Sequence, residues 1–360
     1  MPAIHLRPGS HLLTSSSFNL VAIGGGTGLS TLLRGLKRYV HLEEGPWSIG
    51  NLSAIVTVTD EGGSSGILRR ELSMLPPGDV RNCIVALAEE EQLLSQLFNY
   101  RFESESALKG HSLGNLLLAA LTEITGGFDH AILAASEVLA IRGSIFPSTL
   151  EHVRLKATCD DGTMLIGETA IAGDHLVGSA PPEHGAIIRL ELDPPGVVPV
   201  DQAIAAIEEA DLIVIGPGSL YTSILPNLVI PRLGDALRTA RALRVYICNV
   251  MTQPGETDGY RAEDHLRKIV EHCGLVADVM VINGRRPSDP ILEAYARQHQ
   301  HPVAFDTREI RELGVTPFFG DVIAEGNFLR HDSEALAETL FRLYDRYGRR
   351  LQRLRRGEQV

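Results

Sequence analysis

Lysine is scarce in this sequence: Lys37, Lys109, Lys156 and Lys268 are the only ones among 360 residues, so nearly all positive charge is carried by arginine. Even so, 33 basic residues face 45 acidic ones, a formal net charge of -12. That balance works against broad attraction to nucleic acid or to an anionic membrane. Long apolar runs are missing as well. No segment reaches the roughly 20 consecutive apolar residues of a membrane-crossing helix. The opening MPAIHLRPGSHLLTSSS lacks the apolar stretch of a signal peptide, so a cytoplasmic protein with no membrane span is expected. Cysteine is limited to Cys83, Cys159, Cys248 and Cys273, without CxxC spacing, which points to free thiols in a reducing compartment. The histidines form no HExxH pair and no serine lies in GxSxG, so zinc-protease and serine-hydrolase chemistry are unsupported.

What is present reads as alternating α and β structure. Phe18 to Ile23 is a short buried strand running into GGGTG at 24 to 28, and Leu29 to Val40 has helical apolar spacing. Ala54 to Thr59 is a second strand ending in DEGGSSG, with a helix expected over Ile67 to Met74. After Pro76-Pro77-Gly78, Asp79 is placed to cap a helix, and Ser112 to cap another. Residues 150 to 192, rich in Thr, Gly, Val and Ile, read as short antiparallel strands outside the main sheet. Alternation then resumes with strands at Asp211 to Ile215, Arg244 to Asn249 and Asp278 to Ile282. The expected fold class is α/β with a mainly parallel sheet and a small β-rich insertion, its site at the carboxyl ends of the strands. Residues 1–17 are set apart as a flexible leader, 18–335 as one α/β domain and 336–360 as a helical or flexible Arg-rich tail.

The loops carry the chemistry. Gly24, Gly25 and Gly26 permit a tight turn after which amides near Thr27 and Gly28 face an anion at a helix N-terminus. Leu29 stands where GxGxxG needs its last glycine, and no P-loop Lys-Ser/Thr pair follows, so neither ordinary NAD binding nor a Walker ATPase is indicated. Asp60 ends a strand beside Gly62, Gly63, Ser64 and Ser65, an arrangement suited to holding Mg²⁺ while amides and hydroxyls contact phosphate oxygens. Glu61 is no partner for it, because adjacent side chains on an extended segment point apart. Gly216-Pro217-Gly218-Ser219 forms a second strand-end cradle. His111 and Asn82 are available to a polar substrate, and Asn249 with Thr252 ends a further strand. Together these residues favour a phosphorylated ligand lying across the sheet edge.

Five segments in order, GGGTGLSTLLRGLK, GGSSGILRRELSMLPPGDVRNCIVALA, GHSLGNLLLAALTEI, ADLIVIGPGSLYTSILPNL and NVMTQPGETDGY, resemble the YvcK-like gluconeogenesis factor family of the CofD-like superfamily. The likeness covers roughly residues 18 to 335. It implies a Rossmann-like three-layer fold, a regulatory role in bacterial morphogenesis and growth on gluconeogenic carbon, and binding of UDP-sugars such as UDP-N-acetylglucosamine. A cell-envelope regulatory protein is the implied partner, and a homo-oligomer is expected. The enzymatic relatives transfer 2-phospho-L-lactate from a guanosine diphosphate-linked donor to a deazaflavin precursor with Mg²⁺, which implies a second reading: transfer of a phosphorylated group, with Asp60 organising Mg²⁺ and His111 positioning the acceptor. The family commonly has two aspartates before GGSSG and a basic residue after it, whereas here Asp60-Glu61 and Ile67 occupy those places.

Overall fold

A computed structural model describes residues 17–89, 92–103, 105–173, 184–326 and 328–348. Its strands are β1 (Phe18–Gly24), β2 (Ile49–Val56), β3 (Ser144–Pro147), β4 (Arg154–Cys159), β5 (Met164–Ile166), β6 (Ile187–Asp193), β7 (Leu212–Ile215), β8 (Leu243–Ile247), β9 (Val279–Asn283), β10 (Thr316–Gly320), β11 (Ile323–Glu325) and β12 (Leu329–His331). Seven of them form one sheet in the order β10-β9-β8-β7-β1-β2-β3. Every pairing in it is parallel. The continuous apolar runs VAI and LIVI explain why: β1 and β7 are covered on both faces and are buried almost throughout. The antiparallel sheet β5-β4-β6 is the β-rich insertion expected within 150 to 192.

The chain steps from β1 outward to β2 and β3, then returns to the other side of β1 with β7 and continues to β10. Right-handed crossovers therefore place the helices of the two halves on opposite faces. Helix Gly26–Leu36 packs against both Gly78–Leu87 and the C-terminal helix Ser333–Leu343. Between β1 and β7 the direction reverses, and in open parallel sheets the crevice outside such a reversal is where ligands bind.

Local details depart from the sequence reading in instructive ways. The first helix begins at Gly26 rather than Leu29, and the second spans Gly63–Leu72 rather than Ile67 to Met74, so the small-residue loops themselves form the opening helical turns. Asp79 is not a cap. The helix Gly78–Leu87 has Pro77 at its cap position, leaving Asp79 in the first turn, where it accepts from the Gly26 amide. The segment set apart as a helical or flexible Arg-rich tail begins within the helix Ser333–Leu343. Leu336, Leu340 and Phe341 are fully buried, and Phe341 stacks on Trp47 with centroids 5.1 Å apart. The arginine count hid an ordinary apolar helix face. Residues 1–16 of the leader and 349–360 of the tail lie outside the described residues.

Ser112 does cap the helix Leu113–Thr125, accepting from Asn115 N at 3.2 Å. Its hydroxyl also receives Arg81 Nη1 at 2.6 Å and is fully buried. Replacing a capping serine by alanine costs about 1 kcal/mol, and the buried guanidinium loses a partner besides. Ser112→Ala is thus expected to lower unfolding free energy by ~2 kcal/mol in urea titration. Ser112→Thr should retain most of it.

Candidate functional site

The β1 and β7 turns meet at the reversal. The helix from Gly26 presents its first amides beside the loop Gly216–Ser219, and the two backbones touch: a Cβ on Gly28 would lie 2.3 Å from Pro217 O. Only glycine permits that approach. Thr27, Gly28 and Thr31 on one side and Gly218 and Ser219 on the other line a cleft of about 270 Å³. Amides at a helix N-terminus favour an anion here. Asn249 and Thr252 reach the same cleft. Asn249 Oδ1 receives Gly218 N at 3.4 Å while its amide donates to Gln253 at 3.1 Å, so Asn249 ties the β7 and β8 loops together. Thr252 Oγ1 accepts from His301 N at 3.0 Å and fixes the cleft floor.

The opposite wall comes from residues that the sequence reading missed: Tyr295, Gln300, Arg330 and His331. Tyr295 pins β12 by accepting from Leu329 N at 3.0 Å and donating to Leu329 O at 3.2 Å. This holds the exposed Arg330 over the cleft. His331 donates to the Cys248 carbonyl, while its Nε2 is buried without a hydrogen-bond partner. Burial pushes its pKa down to about 4, so the imidazole is neutral near pH 7. No motif flagged these side chains, since nothing in their spacing ties them to the glycine loops.

Asp60 and its neighbours form a second, adjoining group. Asp60 Oδ1 accepts from Gly62 N at 2.8 Å. A Cβ on Gly25 would lie 2.6 Å from Asp79 Oδ2, which shows how close the carboxylates come to the glycine turn. Glu168, from the helix after β5, joins them and accepts from Glu61 N at 2.8 Å. Burial first, and then the charge of Asp60, pushes Asp79 up to about 7 and Glu168 up to about 8. Glu61 turns away from Asp60 toward Arg154, at 3.1 Å, and Arg69, at 3.6 Å.

Ser64, Ser65, His111 and Asn82 lie on the helical side of this group rather than in the cleft. Ser64 Oγ is 3.0 Å from His111 Nδ1, and Ser65 Oγ receives Asn115 Nδ2 at 3.3 Å. Asn82 Oδ1 receives Arg81 Nη2 at 2.6 Å. His111 is buried, 7% exposed, and reaches neither the carboxylates nor the cleft by any hydrogen bond among the described residues. The predicted residues therefore fall into two neighbouring sets, joined by the turn Gly24–Gly26.

Among the described residues, no three His, Cys, Asp or Glu side chains are disposed as a metal cage. Yet the donors at Asp60 and Asp79 are oxygens crowded against like charge. One or two carboxylates completed by water and phosphate oxygens are what a hard dication such as Mg²⁺ takes. The residues present fit it on that ground.

The profile of the family described as "2-phospho-L-lactate transferase CofD" matches residues 20–323. The chain is 47% identical over 326 residues to the gluconeogenesis factor of Halalkalibacterium halodurans, covering 89% of this chain and 95% of that one. It is 44% identical over 325 residues to the gluconeogenesis factor of Bacillus subtilis, covering 89% and 96%. A crystal structure of a protein from Bacillus halodurans superposes with a TM-score of 0.83 at 45% identity, covering 91% of this chain and 100% of that one. Among the described residues, no single helix is long and apolar enough to cross a membrane.

Proposed function

Because the chain belongs to the YvcK-like gluconeogenesis factor family within the CofD-like superfamily, we propose that it is a regulatory protein that binds a UDP-sugar, UDP-N-acetylglucosamine or a close relative, and couples carbon status to cell-envelope synthesis. The carrying observation is the cleft at the β1/β7 reversal, where a helix N-terminus and a glycine loop touch across Gly28. In this reading the diphosphate sits on the amides of Thr27 and Gly28, and the nucleoside lies toward Tyr295 and Arg330. Occupancy joins β12 to the glycine loops and so biases the outer surface toward a protein partner. No covalent step is needed, and the cellular role is growth on gluconeogenic carbon and maintenance of cell shape.

Titration calorimetry with UDP-N-acetylglucosamine tests this, with GDP and NAD as competitors and mass spectrometry of the products. Saturable binding without turnover is expected. Arg330→Ala removes a flexible, exposed contact and should weaken binding about tenfold, or ~1.4 kcal/mol, with unchanged melting temperature. Equal affinity for GDP, or an unaffected Arg330→Ala, counts against the assignment.

A second reading is favoured by one feature, the group Asp60, Asp79 and Glu168 beside Gly26. It is a Mg²⁺-dependent transferase of a phosphorylated group from a nucleotide-linked donor. When bound there, Mg²⁺ would neutralise donor phosphate charge. Asp60 and Asp79 would hold it, and the amides of Thr27 and Gly28 would orient the phosphates. A phosphodiester product whose formation is lost in Asp60→Asn would establish this reading over the first.

A further inference from the structure

Ser219 faces the cleft with its hydroxyl already engaged on two sides. Its Oγ caps the π-helical turn Leu220–Ile224 by accepting from Thr222 N at 3.1 Å. The same oxygen is hydrogen-bonded to Glu256 Oε2. Glu256 lies in the QPGETDG loop after β8, is 4% exposed, and also accepts from the Tyr221 amide. Ser219 and Tyr221 face it from the turn after β7, and Tyr221 in turn meets Tyr260, hydroxyl to hydroxyl, at 2.8 Å and feels Glu271. On its own loop the nearest acid is Asp258, which is engaged by Gly255 N. No Lys or Arg among the described residues forms an ion pair with Glu256.

We infer that Glu256 sets the hydrogen-bonding polarity of Ser219 toward the cleft, so that a phosphate enters together with one proton. This rests on the nucleotide-sugar reading for the identity of the phosphate. A hydroxyl has one proton and two lone pairs. With Glu256 ionised, that proton points to the carboxylate and Thr222 N takes one lone pair, leaving only a lone pair for an incoming phosphate oxygen. Two acceptors then face each other beside a buried negative charge. With Glu256 protonated, its O–H donates to Ser219 Oγ, the Ser219 proton turns outward, and it donates to the phosphate. The proton comes from solvent, and no other bond changes. Burial holds the Glu256 carboxyl up at about 7, so the ligand selects between two states that are both populated near neutrality. Glu256 is in this sense a positioning residue acting through Ser219.

The test is calorimetry of UDP-N-acetylglucosamine without added metal at pH 6, 7 and 8, in two buffers of different ionisation heat. Its diphosphodiester does not titrate in that range. Uptake of up to one proton per ligand is expected, with affinity falling toward tenfold per pH unit above pH 7. Glu256→Gln supplies a permanent amide donor to Ser219, so it should bind at pH 8 about as tightly as the parent does at pH 6, without proton uptake. Ser219→Ala should be weak and flat with pH, which keeps the test decisive if the buried substitution misfolds. A parent protein with no proton uptake, or a Glu256→Gln variant that retains the parent slope, overturns the inference. ADP-glucose separates the two layers. If it binds with proton uptake and UDP-N-acetylglucosamine does not bind, the UDP-sugar assignment falls and the Glu256 role stands; if neither binds, both fall.

Discussion

Gly28→Ala is expected to destabilise the protein and to abolish tight ligand binding. The sign is what makes the prediction sharp. Gly28 lies in the first turn of the helix Gly26–Leu36, where exchange of glycine for alanine ordinarily stabilises by ~1 kcal/mol. Here the new methyl would fall 2.3 Å from Pro217 O and 3.1 Å from Gly218 Cα, both backbone atoms that no rotamer change can move away. Forcing the turns apart should cost ~1–3 kcal/mol, the usual range for an overpacked site. The amides that face the cleft separate by the same movement, so under the proposed function affinity for UDP-N-acetylglucosamine should drop by far more than the tenfold predicted for Arg330→Ala. Calorimetric melting and titration of the same sample measure both. A higher melting temperature with intact binding would mean that the two loops do not share one cradle.

Stability is expected to fall as the pH rises from 5 to 8, and Mg²⁺ is expected to restore it. Asp79 and Glu168 are pushed up to about 7 and about 8 by burial and by the Asp60 charge, against ordinary values of 3.8 and 4.5. The folded chain therefore keeps protons that the unfolded chain has already released. The associated stability is complete below about pH 4 and is lost as the pH passes through 7 to 8. One retained proton corresponds to ~1.4 kcal/mol per pH unit, so treating the crowded carboxylates as sharing a single proton gives ~4 kcal/mol over three pH units. A dication, if held by Asp60 and Asp79 as the second reading has it, would take the place of that proton and stabilise by mass action, ~2.7 kcal/mol at a hundred times its dissociation constant. Urea unfolding at pH 5, 6.5 and 8, with and without Mg²⁺, measures both. Asp60→Asn removes the second of the two causes and leaves burial in place, so it should make the pH slope shallower and erase the Mg²⁺ effect. A variant that still responds to Mg²⁺ would place the ion elsewhere.

How much of this was legible beforehand follows from where each signal resides. Local signals read well. VAIGGGTG and LIVIGPGS each pair an apolar run with a small-residue turn, which is enough to fix strand, turn and helix without knowledge of the rest. Their meeting across the sheet could also be anticipated, since a crevice forms wherever the strand order of such a sheet reverses. Asp79 was misread because an acidic residue after Pro-Pro-Gly suits a cap equally well, and only the fold reveals that its carboxyl turns to the Gly26 amide. Glu168 could not be found at all, because its approach to Asp60 depends on how the β5-β4-β6 insertion docks. Arg330 and His331 were hidden for the same reason. They sit on a strand of three residues, Leu329–His331, held by a tyrosine from a different helix.

That short strand sets how far along the chain the cleft is completed. The glycine turn at Gly24–Gly28 and its opposite wall at Arg330 and His331 line one cleft although nearly the whole sheet lies between them in the chain. The helix that follows, Ser333–Leu343, lies directly on Gly26–Leu36, and Arg38 pairs with Glu334. A chain halted before residue 329 contains both glycine turns but lacks the facing wall of the cleft and the helix packed on Gly26–Leu36. Two walls so far apart in the chain make the cleft a late product of folding, and a fragment ending before residue 329 is expected to show no saturable binding of UDP-N-acetylglucosamine.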